Sequence, residues 1–374
     1  MNWRKRASLA WRRWRDGRRL QRENQYYLRE FSQRGLSLDQ PVRLPQTQPK
    51  PKGSLSIGAI FHHYTWESTA FLPALTAFGH VTHFDPALPQ TSQDQTDRPD
   101  PSLAIRLAQA HALRPFDVLF FYVSPYLARP ETLRTIRQLG VPMVNMNLND
   151  KEAFVGKIRS GLAMGVRDIC RFFDLNWTST EDALIKYAVE GAAAIYLPEA
   201  ANPHLFFPVD TAKDLDVSFV GANYGHRPNV INFLRSQGFK VHTFGPGWPE
   251  GKIPTETMRL IYSRSRVNLG FASVGDFRDT FCLKGRDFEV PMSGGCYLTE
   301  DHPELRRVFR VGQEIETYRT RQELVDKLHT LLQEPNRAAA MGRAARARCL
   351  QEHTWEKRFE TLFSTLAVMS GSTD

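Results

Sequence analysis

The chain has 374 residues, which at about 150 residues per domain predicts two domains or three. With 41% hydrophobic residues and apolar runs no longer than stretches such as Val118 to Val123, we expect a globular protein with a sizeable core and no integral membrane segment. The four cysteines form no CxxC pair or metal-ligand spacing, which favours a reducing, cytoplasmic location over a disulfide or zinc scaffold.

The net charge of +9 is concentrated at the N-terminus, because residues 1–35 carry eleven Arg and Lys against three Asp and Glu. We call residues 1–40 the arm. Helical spacing places an apolar stripe on the first half of the arm, formed by Trp3, Ala7, Ala10, Trp11 and Trp14. Gly17 should loosen the helix. Beyond it a second, different stripe consists of Leu20, Tyr27 and Phe31. This pattern suits an anionic membrane surface, and it suits equally a solvated helix or one docked on the protein's own body.

Four prolines between Gln40 and Gly53 predict a semi-rigid linker over residues 41–53. Beyond it, strands and helices alternate, which predicts an α/β fold of two Rossmann-like domains facing a cleft, over residues 54–200 and 209–374. In the first domain the predicted strands are 55–61, 81–84, 118–123, 141–146, 175–178 and 193–197, and the predicted helices are 66–78, 102–113, 131–139 and 181–189. In the second domain the predicted strands are 217–220, 241–244, 267–271 and 296–299. The predicted helices are 229–236, 255–263 and 283–292, followed by three more at the C-terminus.

Loops that follow parallel strands are where such folds bind ligands. The strand Val217–Val220 runs into Gly221, and a helix opens just after His226 and Arg227. Glycine lets a phosphate approach the backbone, the helix N-terminus offers N–H groups and arginine adds charge. The turn is not a GxGxxG motif, so a purely structural turn explains it equally well, and His226 has no evident partner.

A second candidate lies on the helix over 283–292 and the turn after it. Lys284 and Arg286 near the helix start could neutralise a diphosphate, and Glu289 one turn later could accept ribose hydroxyls. Gly294 and Gly295 follow before the next strand. The alternative is an ordinary surface pair between Arg286 and Glu289.

These pieces resemble the C-terminal domain of GT-B glycosyltransferases, especially the CgeB-like (spore maturation protein-like) group. The resemblance rests on Phe219-Val220-Gly221 with Arg227, Gly245-Pro-Gly-Trp248, the run from Arg286 to Gly295, and His353-Thr-Trp355. It implies that Glu289 binds the donor ribose, that Lys284, Arg286 and Arg227 bind the diphosphate, and that Gly221, Gly294 and Gly295 leave room for it. Many retaining relatives carry a second glutamate eight positions earlier; here that position is Phe281.

The first domain is then expected to hold the acceptor. Its first strand ends at His62 and His63, either of which could act as general base on an acceptor hydroxyl; half-buried loop histidines are the alternative. The triplet from Asp214 to Asp216 resembles a metal-binding DxD, but it precedes a strand, so we interpret it as a polar strand entry and expect no metal.

The sequence thus predicts a metal-independent glycosyltransferase of hexosyltransferase type that needs no cofactor. A nucleotide-diphosphate sugar would be the donor, and a glycan or lipid-linked hydroxyl would be the acceptor. The protein itself would be cytoplasmic and peripheral on the inner face of the membrane. Two alternatives on the same scaffold are a non-catalytic nucleotide- or carbohydrate-binding protein and a sugar-nucleotide epimerase. Nucleic-acid binding is disfavoured, because outside residues 1–35 the chain is electrically balanced.

Overall fold

A computed structural model describes residues 3–38, 42, 48–62, 66–87, 99–274 and 280–370, without the side chains of residues 3–15 and 66. The chain divides into two compact units. Unit 1 comprises residues 1–198 and 358–374, and unit 2 comprises residues 199–357. Residues 358–374 therefore belong to unit 1. This corrects the predicted second domain of 209–374, which ends at residue 357 instead.

Unit 1 is built on a six-stranded parallel sheet in the order β2-β1-β3-β4-β7-β8. Its strands are β1 (Leu55–Phe61), β2 (Gly79–Phe84), β3 (Val118–Tyr122), β4 (Met143–Asn147), β7 (Leu175–Thr178) and β8 (Ala194–Tyr196), and β5 (Ile158–Arg159) with β6 (Leu162–Ala163) forms a small antiparallel hairpin. Its helices are α1 (Trp3–Gln33), α2 (Trp66–Ala70), α3 (Leu72–Thr76), α4 (Leu103–Leu113), α5 (Pro130–Arg137), α6 (Asp150–Ala153) and α7 (Ala183–Val189).

Unit 2 carries a five-stranded parallel sheet in the order β10-β9-β11-β12-β13. Its strands are β9 (Leu215–Val220), β10 (Val241–Phe244), β11 (Ser265–Leu269), β12 (Tyr297–Glu300) and β13 (Glu316–Tyr318). Its helices are α8 (Arg227–Ser236), α9 (Thr255–Arg264), α10 (Gly285–Met292), α11 (Leu305–Val308), α12 (Arg321–Gln333) and α13 (Pro335–Glu352), and α14 (Trp355–Thr365) leads the chain back into unit 1.

The predicted α/β class and the two Rossmann-like sheets are confirmed. Strands such as β1 are buried along their whole length, as expected when helices cover both faces of a parallel sheet. The helix predicted over 66–78 is instead two short helices that break at Phe71, because Pro73 lies at the start of α3, where its missing N–H needs no acceptor in the preceding turn. The hairpin of β5 and β6 and the short strand β13 were not predicted.

Within the arm, residues Trp3–Gln33 form one continuous helix, α1, which Gly17 does not interrupt. Its second half packs on unit 1: Leu20 and Tyr27 are buried, and Phe31 packs against the core. The stripe of Leu20, Tyr27 and Phe31 is therefore a docking face on the protein's own body. The other stripe, from Trp3 to Trp14, lies among side chains outside the described residues.

Candidate functional site

The carboxyl ends of the unit 2 strands bring two loops together around Gly221. The Gly221 N–H donates to the Phe244 carbonyl at 2.8 Å, and the Trp248 indole N–H donates to the Gly221 carbonyl, also at 2.8 Å. A Cβ placed on Gly221 would lie only 2.3 Å from the guanidinium of Arg286. A backbone φ of +157° together with the Phe219 ring, 2.8 Å from that Cβ, favours glycine here, and Arg286 from the first turn of α10 occupies the remaining space.

Two guanidinium groups face this turn. Arg286 donates from Nε to the Val220 carbonyl at 2.5 Å and lies over the Phe219 ring, 4.7 Å from its centre. Arg227, at the start of α8, stacks 3.9 Å from the centre of the Tyr224 ring and donates to its hydroxyl at 2.8 Å. The aromatic rings and backbone carbonyls hold both cations at the sheet edge, where the sequence predicted a diphosphate site.

The electrostatics of this pair favour an anion. Burial, and then the charge of Arg286, lower the pKa of Arg227 to about 10. Within the described part of the chain, no carboxylate forms an ion pair with Arg227 or Arg286, and Nη1 of Arg286 has no hydrogen-bond acceptor. Burial opposes the charge of Arg286, but nearby Tyr297, Tyr262, Asp287 and Glu289 outweigh it and raise its pKa. Arg227 is therefore the less stable cation of the two, and a bound diphosphate would stabilise its charge.

Helix α10 supplies the remaining predicted residues at this edge. Lys284 caps the helix, with its N–H bonded to Asp287 at 2.7 Å, and Asp287 is buried and also accepts from the Tyr297 hydroxyl at 2.6 Å. The Lys284 ammonium donates to the Ala272 carbonyl at 3.1 Å. This capping arrangement holds the start of α10 rigidly against β11 and β12, so Lys284, Arg286 and Glu289 share one end of the sheet.

Glu289 has a companion that the sequence analysis missed. A Cβ on Gly285 would lie 3.1 Å from a carboxylate oxygen of Glu289 and 3.3 Å from one of Glu199, so the two carboxyls converge on Gly285. Burial raises the pKa of Glu289 to about 7, and burial followed by the charge of Glu289 raises that of Glu199 to about 8. No spacing signal could reveal Glu199, because it precedes β9 and reaches Glu289 only through the fold.

His226 also acquires a partner in the structure. Its Nε2 lies 2.5 Å from Glu300 at the end of β12, and the other Glu300 oxygen accepts from the Ser273 N–H and hydroxyl, each at 2.9 Å. Burial opposes the charge of Glu300, but the bonds from His226 and Ser273 outweigh it and lower its pKa. Since a carboxylate only accepts, Nε2 carries the proton and Nδ1 is the basic nitrogen.

The structure does not bring Gly294 and Gly295 to the cluster at Gly221, which consists of Gly221, Arg227, Lys284, Arg286 and Glu289. They follow the C-terminal end of α10 and precede β12, at the opposite edge of the sheet. A Cβ on Gly295 would lie 2.7 Å from the Asn268 side chain, and one on Gly342 of α13 would lie 2.3 Å from the Gly294 carbonyl. The left-handed φ of +70° and the nearby Pro208 ring explain Gly294, and the Asn268 side chain explains Gly295, which corrects their predicted placement beside the diphosphate.

Unit 1 has its own histidine at a carboxyl end of its sheet. His62 follows β1, and its Nδ1 lies 2.9 Å from Asp85, which follows the neighbouring strand β2. The Asp85 carboxylate fixes the proton on Nδ1 and makes Nε2 the basic nitrogen, an orientation suited to a general base. Asp85 was not predicted as its partner. His63 lies outside the described residues.

The DxD triplet is a strand entry, as predicted. Asp214 pairs with Arg264 at 2.5 Å, and Asp216 pairs with Arg266 at 3.1 Å, where β9 and β11 begin. Across the residues that the structure describes, no group of three or more His, Cys, Asp or Glu is placed to hold a metal ion. In the same residues, no helix is long and apolar enough to cross a membrane.

Comparison with known proteins finds a family model that is similar to part of the chain. Residues 227–364, from the start of α8 into α14, match the sequence model of the glycosyl transferase-like family. No curated protein matches the chain. The CgeB-like assignment stays a prediction.

Solved structures match both units, at identities that establish the fold alone. Sucrose-phosphate synthase from Thermosynechococcus elongatus is similar, with 13% identity, a TM-score of 0.57, and 84% of this chain and 99% of that one covered. HepE of Anabaena, in complex with UDP and glucose, is similar with 10% identity, a TM-score of 0.51, and 84% and 100% covered. A putative UDP-N-acetylglucosamine 2-epimerase from Listeria monocytogenes is similar with 10% identity, a TM-score of 0.50, and 85% and 98% covered.

Proposed function

We propose that the protein is a glycosyltransferase that moves a sugar from a nucleoside diphosphate donor to a hydroxyl group. The observation that carries the proposal is the pair Arg227 and Arg286, two guanidiniums without a carboxylate partner among the described residues, at the turn of Gly221. The match of residues 227–364 to glycosyl transferase-like proteins supports it. The donor diphosphate would bind between these arginines, with Lys284 at the same helix start.

Glu289 would bind the donor ribose in this proposal. Its carboxylate lies one turn into α10. The hydrogen bond that it accepts from the Tyr262 hydroxyl is long, at 3.4 Å, and therefore weak. Two vicinal ribose hydroxyls are donors that match two carboxylate oxygens. Because HepE binds UDP, uridine is the first base to test for this chain.

We propose that a general base activates the acceptor hydroxyl, and within unit 1 the candidate for that role is Nε2 of His62. The hydroxyl oxygen would form a bond to the anomeric carbon of the donor sugar, the base would take the hydroxyl proton, and the bond between sugar and diphosphate would break. The leaving diphosphate would take the electron pair, and Arg227 and Arg286 would stabilise the charge that develops on it. We propose that no metal ion takes part.

Nucleotide binding tests the donor site directly. We expect UDP to raise the unfolding temperature of the protein equally with and without EDTA. Glu289→Ala should lower UDP affinity about 10- to 100-fold, the effect of losing charge-assisted hydrogen bonds, without lowering the unfolding temperature of the free protein. Glu256→Ala, an exposed glutamate on α9, is the matched control. Equal UDP affinity in wild type and Glu289→Ala would reject this site.

Turnover separates the enzyme from its alternatives. A glycosyltransferase consumes donor sugar only when an acceptor hydroxyl is present, an epimerase converts the donor alone, and a binding protein does neither. Conversion of the UDP-sugar without acceptor would therefore replace the transferase proposal with the epimerase one.

We also propose that the first part of the arm, residues 1–15, binds anionic lipid, which would place the acceptor at a membrane. Removing these residues should abolish co-sedimentation with phosphatidylserine vesicles and leave UDP affinity unchanged, because the docked face of α1 lies beyond this segment. A variant with Trp3, Trp11 and Trp14 changed to alanine keeps the charge and tests the contribution of the rings. Unchanged sedimentation after truncation would contradict the proposal.

A further inference from the structure

A cavity of about 440 Å³ opens at the amino-end edge of the unit 2 sheet, opposite the predicted donor site. Lys213 precedes β9, Arg266 lies at the start of β11, and Cys296 precedes β12, and all three line it. The intervening helix α10 has eight residues, a length of about 12 Å. The cavity is therefore a separate place from the cluster at Gly221, with a volume in the range of small-molecule sites.

The charges around this cavity are mostly positive. Lys213, Arg266, Arg343 and Arg346 line it, against one acidic side chain, Asp210. Arg266 is paired with Asp216, but within the described ranges no carboxylate forms an ion pair with Lys213, Arg343 or Arg346. Lys213 donates to the Ser265 carbonyl at 3.0 Å and Arg346 donates to the Met292 carbonyl, so each keeps further N–H groups for an anion. Arg343 has neither a hydrogen bond nor an ion pair within the described ranges.

Ser293 supplies an independent observation. It belongs to the cavity wall and is only 2% exposed, and among the described residues its hydroxyl has no hydrogen-bond partner. Buried hydroxyls in native proteins are nearly always paired, so an orphan beside a cavity indicates a missing partner. The hydroxyl can donate to an anionic oxygen.

Most of the remaining wall is apolar and limits the kind of ligand. Pro208, Leu331, Pro335 and Ala338 lie around the ends of α12 and α13, and Thr211 and Ser263 are the further polar residues of the wall. We infer that this cavity binds a small organic anion, a phosphate or carboxylate attached to an apolar group. The anionic end would contact Ser293, Arg343 and Lys213, and the apolar end would lie against the prolines. This inference does not depend on the proposed transferase activity.

Phenyl phosphate and benzoate are suitable probes, because each joins an anion to an apolar ring. We expect saturable binding of at least one of them by calorimetry, unaffected by saturating UDP. Arg343→Ala should weaken it about tenfold, the loss expected for a charge-assisted hydrogen bond. Arg348→Ala is the matched control, because Arg348 lies on the same helix outside the cavity wall and is already paired with Glu314 and Glu352. It should leave the affinity unchanged.

Ser293→Ala provides the second readout. In the free protein it should keep or raise the unfolding temperature, because it removes an unpaired buried hydroxyl, and it should weaken probe binding. Binding of neither probe, equal affinity in Arg343→Ala and Arg348→Ala, or complete competition by UDP would overturn the inference. Failure of UDP binding in Glu289→Ala has no bearing on these outcomes, so the two proposals fail separately.

Discussion

Two buried glutamates at the carboxyl edge of the unit 2 sheet have pKa values that are shifted in opposite directions. Glu199 lies against Glu289, and burial with that charge raises its pKa to about 8. Glu300 is also buried, but it receives bonds from His226 and Ser273 that lower its pKa. One carboxylate therefore opposes folding at neutral pH, and the other supports it.

The sign of the pH dependence follows from these shifts. The pKa of a glutamate in an unfolded chain is about 4.3. The stabilising contribution of Glu199 to the free energy of unfolding is therefore fully present below that pH and is lost as pH rises through about 8. The contribution of Glu300 is present above about 4.3 and is lost as pH falls through its lower folded value. We expect Glu199→Gln to raise the unfolding temperature at pH 8 and Glu300→Gln to lower it by the equivalent of about 1–3 kcal/mol.

Thermal unfolding between pH 4.5 and 8.5 measures both effects, with Glu256→Gln as an exposed control on α9. The difference between Glu199→Gln and wild type should grow with pH. Curves for Glu199→Gln and wild type that stay parallel would show that the charge of Glu199 does not oppose folding.

The residue types at the candidate site could be predicted, but their partners could not. Arg227, Arg286 and Glu289 follow from their positions beside strand ends and helix starts. The partners Asp85, Glu199 and Glu300 come from other strands or from before the sheet, and hydrogen bonds such as that of His226 to Glu300 join residues distant in the chain. Spacing along a sequence carries no information about such pairs.

At the scale of elements, helix α1 is the clearest case of a pattern with two meanings. Its arginines suggested binding to an anionic membrane surface. Its second half, however, is anchored in unit 1 by a buried ion pair between Glu23 and Lys186 at 2.9 Å, whose side chains are 8% and 5% exposed. The Tyr27 hydroxyl adds a bond to Glu190 at 2.8 Å. Acidic residues inside a basic helix were the signal that one face docks on the protein.

A double-mutant cycle tests this anchor. Glu23→Leu should destabilise unit 1 by about 3–5 kcal/mol, because it leaves the Lys186 ammonium buried without its partner. Glu23→Leu combined with Lys186→Met should recover most of that loss, since two apolar side chains replace the pair. Denaturant unfolding of the single and double variants measures both quantities. Additive losses would mean that the two side chains are not coupled.

At the scale of the whole molecule, the chain leaves unit 1 after Pro198 and returns at Arg358. Phe359 of α14 is fully buried in unit 1, with ring centres 5.2 Å from Phe120 and 5.6 Å from Trp177. The C-terminal residues thus complete the core of the first unit.

Phe359→Ala should therefore destabilise unit 1, at a cost of about 3–5 kcal/mol for a large aromatic removed from a core. Hydrogen exchange should accelerate in β1 and β3 and stay unchanged in β9 and β11. Leu350→Ala, on an exposed part of α13, is the control for a change in the C-terminal helices. Faster exchange in β9 instead would assign the C-terminal helix to unit 2.

The sequence by itself determined the class of fold, the order of most strands and helices, and the positions of Arg227 and Arg286 beside the carboxyl end of the second sheet. Those features depend on local rules: strands buried on both faces are apolar throughout, and glycines and prolines mark where elements stop. Only the tertiary structure decided that residues 358–370 complete unit 1, that Gly294 and Gly295 pack against Pro208 and Asn268, and that Glu199 lies beside Glu289. These depend on contacts between distant segments, which form because burial of apolar surface selects one arrangement of the elements, and no local pattern records that arrangement.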